Sequence, residues 1–109
     1  MKFNIKDYPG KYVMHCITED EANEFLKYLN SAGYRWCDGV KYTPEHNQFS
    51  SYFENTAYEF NNGMFAYVDW FATHNYTVLE FTDFEWDGFP NWEEPSEEEL
   101  LKFIGGDYG

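Results

Sequence analysis

The chain has 109 residues, and its 20 Asp and Glu against 7 Lys and Arg give a formal net charge of −13. That length suits one domain with one modest core, and an aromatic content of 23% is too high for a chain that stays unfolded for want of apolar surface. The acidity excludes a generic nucleic-acid binder, which displaces counterions with Lys and Arg, and disfavours docking on an anionic membrane surface.

The charge is uneven. Residues 1–41 set Lys2, Lys6, Lys11, Lys27, Arg35 and Lys41 against Asp7, Glu19, Asp20, Glu21, Glu24 and Asp38, and sum to zero. Residues 42–101 hold thirteen acids and neither Lys nor Arg. Such asymmetry marks either an interaction surface or a solvated face that keeps a Tyr-rich protein in solution. No run of about 18 apolar residues offers a membrane span. Met1–Lys6 lacks the apolar region of a secretory signal. A cytosolic location is therefore expected. Cys16 and Cys37, each in an apolar run, then read as free, buried thiols.

In chain order, Tyr8-Pro9-Gly10 signals a turn. Tyr12–Ile17 is short, apolar and β-branched, and reads as a buried strand. Thr18-Glu19-Asp20-Glu21 is a capping box: the Thr18 hydroxyl would take the Glu21 N–H, and the Glu21 carboxylate the Thr18 N–H. Acids in this first turn also suit the helix dipole. Ala22, Phe25, Leu26 and Leu29 form one apolar stripe, and Gly33 supplies the stop, so a helix is predicted over Glu19–Ala32. Tyr34–Cys37 reads as a second strand, Asp38-Gly39 as a turn, and residues 43–55 as a polar loop. Asn61-Asn62-Gly63 joins Tyr58–Phe60 to Met64–Val68 as a hairpin. Tyr76–Phe81 is a final strand. Gly88–Pro95 is irregular. Ser96–Glu99 caps a short helix through Leu100, Leu101, Phe103 and Ile104, stopped at Gly105. The fold class expected is α+β: an antiparallel sheet of about four or five strands with one main helix on a face. Residues 1–87 would form that domain, and 88–109 an acidic extension with a short helix.

Several of these segments together carry a resemblance. They are Tyr12–Cys16, Thr18-Glu19, the helix through Phe25, Tyr28 and Leu29, Gly33, Trp36-Cys37, Gly39, Tyr42, Tyr58–Gly63 and Tyr76–Phe84. Over residues 11–84 the chain resembles short, acidic, mostly uncharacterised proteins encoded by phages and mobile elements of Firmicutes. The resemblance implies a genomic context more than a chemistry, and supplies no catalytic residues. Small acidic phage proteins include inhibitors of bacterial defence, anti-CRISPR and anti-restriction proteins among them, and some imitate nucleic acid with carboxylates.

The acidic half carries the main functional expectation. Asp83-Phe84-Glu85-Trp86-Asp87 alternates strictly. If extended, it sets three carboxylates about 6.6 Å apart on one face, the order of phosphate spacing along a nucleic-acid strand. A Lys/Arg groove built for DNA would accept such a row. The expected partner-binding set is Glu80, Asp83, Glu85, Trp86, Asp87, Glu93 and Glu94, with Asp69, Trp70, Glu54 and Glu59. Aromatic residues supply anchors: Tyr42, Phe49, Tyr52, Phe53, Tyr67, Trp70, Phe71 and Trp86 outnumber what so small a core hides.

Other chemistries are weaker. No EF-hand loop, phosphate-binding Gly-rich loop, nucleophile elbow or zinc-protease motif is present. Cys16, Cys37, His15, His46 and His74 lack zinc-ligand spacing. Neither metal, cofactor nor catalysis is expected. The leading expectation is a non-enzymatic inhibitor of a bacterial nucleic-acid-handling defence protein, binding neither nucleic acid nor membrane itself. A second is a protein that sequesters a nucleotide-derived immune signal, with Arg35 and Lys41 as its cations. A third is an accessory phage protein acting by contacts alone. Tyr-rich sheet edges would also allow a homodimer.

Overall fold

The computed structural model describes residues 1–86. The boundary expected at residue 87 and the short helix expected at 96–104 lie outside the described residues. Within them the fold is α+β, built on a four-stranded sheet.

Strand β1 (Tyr12–Cys16) runs into helix α1 (Glu19–Ser31). The Thr18 hydroxyl accepts the Glu21 N–H at 3.1 Å. The Glu21 carboxylate reaches one residue further back than a capping box predicts, accepting the Ile17 N–H at 3.2 Å. Gly33, at φ +86°, ends the helix: its N–H donates to Asn30 O and the Tyr34 N–H to Leu29 O. This double closure is the Schellman motif, which favours glycine because of the left-handed backbone. The stripe Ala22, Phe25, Leu26 and Leu29 is buried completely. Each of the three larger side chains contributes about 1.5–3 kcal/mol by burial.

Tyr34–Cys37, expected as a strand, is a loop. Its backbone groups are committed elsewhere: the Trp36 N–H donates to Val40 O and the Cys37 N–H to Gly63 O. Residues 43–55, expected as a loop, form single helical turns, including α2 (Phe49–Tyr52). Strands β2 (Thr56–Glu59) and β3 (Met64–Tyr67) make the expected antiparallel hairpin, with Glu59 opposite Met64. A short helix, α3 (Val68–Thr73), then precedes β4 (Thr77–Glu80). It closes like α1, with the Tyr76 N–H on Phe71 O and Asn75 at φ +68° in the glycine position.

The strand order is β3-β2-β1-β4. β1 pairs antiparallel with β2 and parallel with β4. The sheet is therefore mixed, not antiparallel as expected. A two-residue turn after β3 would have returned an antiparallel neighbour; α3 instead carries the chain across the sheet, and a crossover delivers a parallel strand.

The two faces are unequal. Met14, Cys16, Tyr58 and Phe60 pack with the α1 stripe and with Phe3, which stands at the centre of a ring cluster. Tyr8, Phe25, Tyr28, Phe60, Phe84 and Trp86 all lie within 6 Å of the Phe3 ring by centroid. The opposite face holds a smaller core of Val13, Ala57 and Phe71 beneath α3. Much of the aromatic excess is thus interior: Tyr42 and Phe71 are buried, and Phe49, Tyr52 and Trp86 half-buried, against the expectation that they are exposed anchors. No helix among the described residues is long and apolar enough to cross a membrane.

Candidate functional site

The residues expected to bind a partner separate into three groups. Glu54, Asp69, Trp70, Asp83 and Glu85 are exposed. Asp69 and Trp70 lie in α3, directly after the sheet's outer strand β3. Tyr67, the last residue of β3, is half exposed and meets the Tyr52 ring edge-on at 4.5 Å. Trp70 is 42% exposed and stacks on His74, with centroids 3.9 Å apart. That imidazole is in turn fixed by its Nδ1, 2.6 Å from Trp70 O. Met64, at the start of β3, and Phe53, next to Tyr52 in the chain, are exposed as well. Exposed Tyr67, Asp69 and Trp70 therefore follow one another where the edge strand β3 passes into α3; of the acids in β2, β3, α3 and β4, which hold no Lys or Arg, Asp69 is exposed, Glu80 half-buried and Glu59 buried.

A second group turns away from the surface. Glu59 is fully buried. Its two carboxylate oxygens accept the N–H groups of Asn61 at 2.7 Å and Asn62 at 2.9 Å, so it shapes the hairpin turn. Burial raises its pKa above the ordinary carboxylate value, against the opposing pull of the Asn61 and Asn62 donors. Trp86 is half-buried: its ring stacks on Phe81 at 4.4 Å and its Nε1 donates to Phe81 O. Glu80 is half-buried and lies 2.8 Å from His15 Nδ1, while His15 Nε2 lies 2.7 Å from the Glu54 carbonyl. Both partners accept, so His15 makes both bonds at once only with a hydrogen on each nitrogen.

The described part of the alternating run, residues 83–86, forms no strand beyond an isolated bridge at Glu85. Phe81–Asp83 forms a single 3₁₀ turn, and Phe84 follows in extended conformation. Glu85 bridges to Lys2, and its carboxylate lies 3.7 Å from the Met1 ammonium. The alternation still sorts the side chains: Phe84 and Trp86 pack inward while Asp83 and Glu85 stay outside. Asp87, Glu93 and Glu94, the third group, lie outside the described residues.

A second feature was not legible in the sequence. A cleft of about 360 Å³ opens between residues 36–48 and the β2–β3 hairpin, lined by Trp36, Cys37, Asp38, Val40, Lys41, Thr43, His46, Gln48, Gly63 and Phe65. Its walls are pinned on both sides. Asn30 of α1 holds residue 42 by two hydrogen bonds, Nδ2 to Tyr42 O at 2.7 Å and the Tyr42 N–H to Oδ1 at 3.1 Å. The buried Tyr42 hydroxyl donates to Arg35 O at 3.0 Å. Gly63, at φ +68°, touches the other wall so closely that a Cβ there would stand 2.5 Å from Arg35 O and Cys37 N. Cys37 is exposed, contrary to expectation. Cys16 is buried as expected, and burial, reinforced by the charges of Glu21 and Glu80, pushes its thiol pKa well up.

Among the described residues no three His, Cys, Asp or Glu side chains group closely enough to hold a metal ion. Comparison of the chain with protein-family models, with curated proteins and with solved structures finds no match.

Proposed function

We propose that this chain acts by protein contact, as an acidic inhibitor that occupies the basic nucleic-acid groove of a bacterial defence protein. The observation that carries this reading is the segment Tyr67–Trp70: exposed Tyr67, Asp69 and Trp70 fall within four residues where the edge strand β3 passes into α3, inside a stretch, residues 42–101, that holds no Lys or Arg. A groove built for nucleic acid presents Lys and Arg. Carboxylates pair with those cations, and Tyr and Trp rings take guanidinium groups on their faces. The resemblance to acidic phage proteins directs the reading towards the host's defences. The contact set proposed here leaves out buried Glu59 and half-buried Glu80 and Trp86 and adds exposed Tyr67.

The test is capture from a bacterial lysate at low salt by the immobilised protein, with two variants beside it. One is Asp69→Lys with Trp70→Ala; the other is Asp83→Lys with Glu85→Lys. All four side chains except half-exposed Trp70 are largely solvated, so both variants should keep the circular dichroism and thermal midpoint of the parent. The reading predicts a DNA- or RNA-handling protein that elutes with salt from the parent and is lost with the first variant. Equal capture by parent and variants, at equal salt resistance, contradicts it.

A further inference from the structure

We infer that the cleft between residues 36–48 and the hairpin binds a small planar aromatic anion, carrying a carboxylate or a phosphate. This rests on residues other than those of the proposed contact surface, so either proposal can fail alone. At about 360 Å³ the cleft has the size of a small-molecule site. Trp36 and Phe65, whose rings meet edge-on at 5.4 Å, give it aromatic walls.

The polar groups facing it have donors to spare. The Asp38 carboxylate already accepts the Val40 N–H at 3.0 Å. Among the described residues, the Lys41 ammonium and the His46 ring make no hydrogen bond or ion pair, though both line the cleft. An anionic acceptor beside Lys41 and His46 gives both donors a partner.

The walls of the cleft are fixed by the chain's own contacts. The Cys37 N–H donates to Gly63 O at 3.0 Å, and Gln48 enters the lining in the left-handed region at φ +66°. A non-glycine residue keeps such a conformation only where its surroundings over-determine it, and ligand clamps are a common place for that. A preformed site binds without first ordering its own loops.

The test is a ¹H–¹⁵N titration of the full chain with four probes: adenosine 5′-monophosphate, indole-3-acetate, adenosine and inorganic phosphate. At least one of the two aromatic anions should shift the resonances of residues 36–48 and 63–65 saturably, and with a larger effect than adenosine or phosphate alone. A response to the nucleotide only identifies the phosphate as the recognised group; a response to indole-3-acetate only identifies the carboxylate. Lys41→Gln should weaken binding about tenfold, the value of one charged hydrogen bond, without changing the thermal midpoint. The ligand should also slow the reaction of Cys37 with a thiol reagent. No saturable shift from either aromatic anion, adenosine binding as tightly as its monophosphate, or unchanged binding by Lys41→Gln would each overturn the assignment.

Discussion

Glu59 shows how a residue type misleads when its neighbours are unknown. It sits in a run of thirteen acids without a base and reads as part of an acidic surface, yet it is fully buried with both oxygens on backbone N–H groups. Glu59→Gln sets an amide NH₂ against one of those donors. It should cost about 1–3 kcal/mol by chemical denaturation. Because burial raises the Glu59 pKa, the folded chain holds this proton more tightly than the unfolded chain. Its contribution to stability is then greatest below the ordinary carboxylate value and falls as pH rises through that value towards the raised one. The stability difference between the parent and Glu59→Gln should therefore shrink as pH rises from about 4 to 7. A difference that grows with pH contradicts the assignment. The two thiols give a second residue-scale expectation: one, Cys37, should react with a thiol reagent in the native protein, and Cys16 only after unfolding. Their similar apolar flanks made them look alike. Cys37 differs because Trp36 and Val40 close a turn upon themselves and lift it out of the sheet.

The elements legible in the sequence are those specified by their own few residues. α1 announced its cap at Thr18, its stripe and its stop at Gly33, and β2–β3 its Asn-Asn-Gly turn. Thr18→Ala should cost about 1 kcal/mol, read from the denaturation midpoint, as the loss of one cap. α3 was not legible. Six residues carry too little periodicity, and its stop is an Asn rather than a Gly. Missing it also concealed the parallel pairing of β4, because only a crossover brings that strand beside β1 in the same direction. The strand expected at Tyr34–Cys37 failed for a tertiary reason: its N–H groups found Val40 and Gly63 rather than a neighbouring strand. That contact depends on Gly63. A methyl group there would meet backbone atoms at 2.5 Å, which cannot move aside cheaply. Gly63→Ala should destabilise the fold by at least about 2 kcal/mol, from strain at positive φ and overpacking together. An unchanged thermal midpoint would contradict the close approach.

At the scale of the molecule, charge and shape divide the labour. The neutral first half supplies α1, the aromatic cluster's Phe3, and one wall of the cleft; the acidic half supplies the passage from β3 into α3 with Tyr67, Asp69 and Trp70. This division was visible in the sequence as an uneven charge balance. Which acids reach solvent was not, because burial at Glu59 and the pairing of Glu80 with His15 depend on strand register. Attraction between exposed acids and a basic groove weakens as salt rises. Duplex DNA and this chain should then compete for the same site. The most direct measurement is displacement: the captured partner, held on immobilised protein at low salt, is challenged with a short duplex the partner itself binds. The account predicts release of the partner by the duplex and a bound fraction that falls steeply with added salt. A partner that stays bound while its groove is filled with DNA would contradict it.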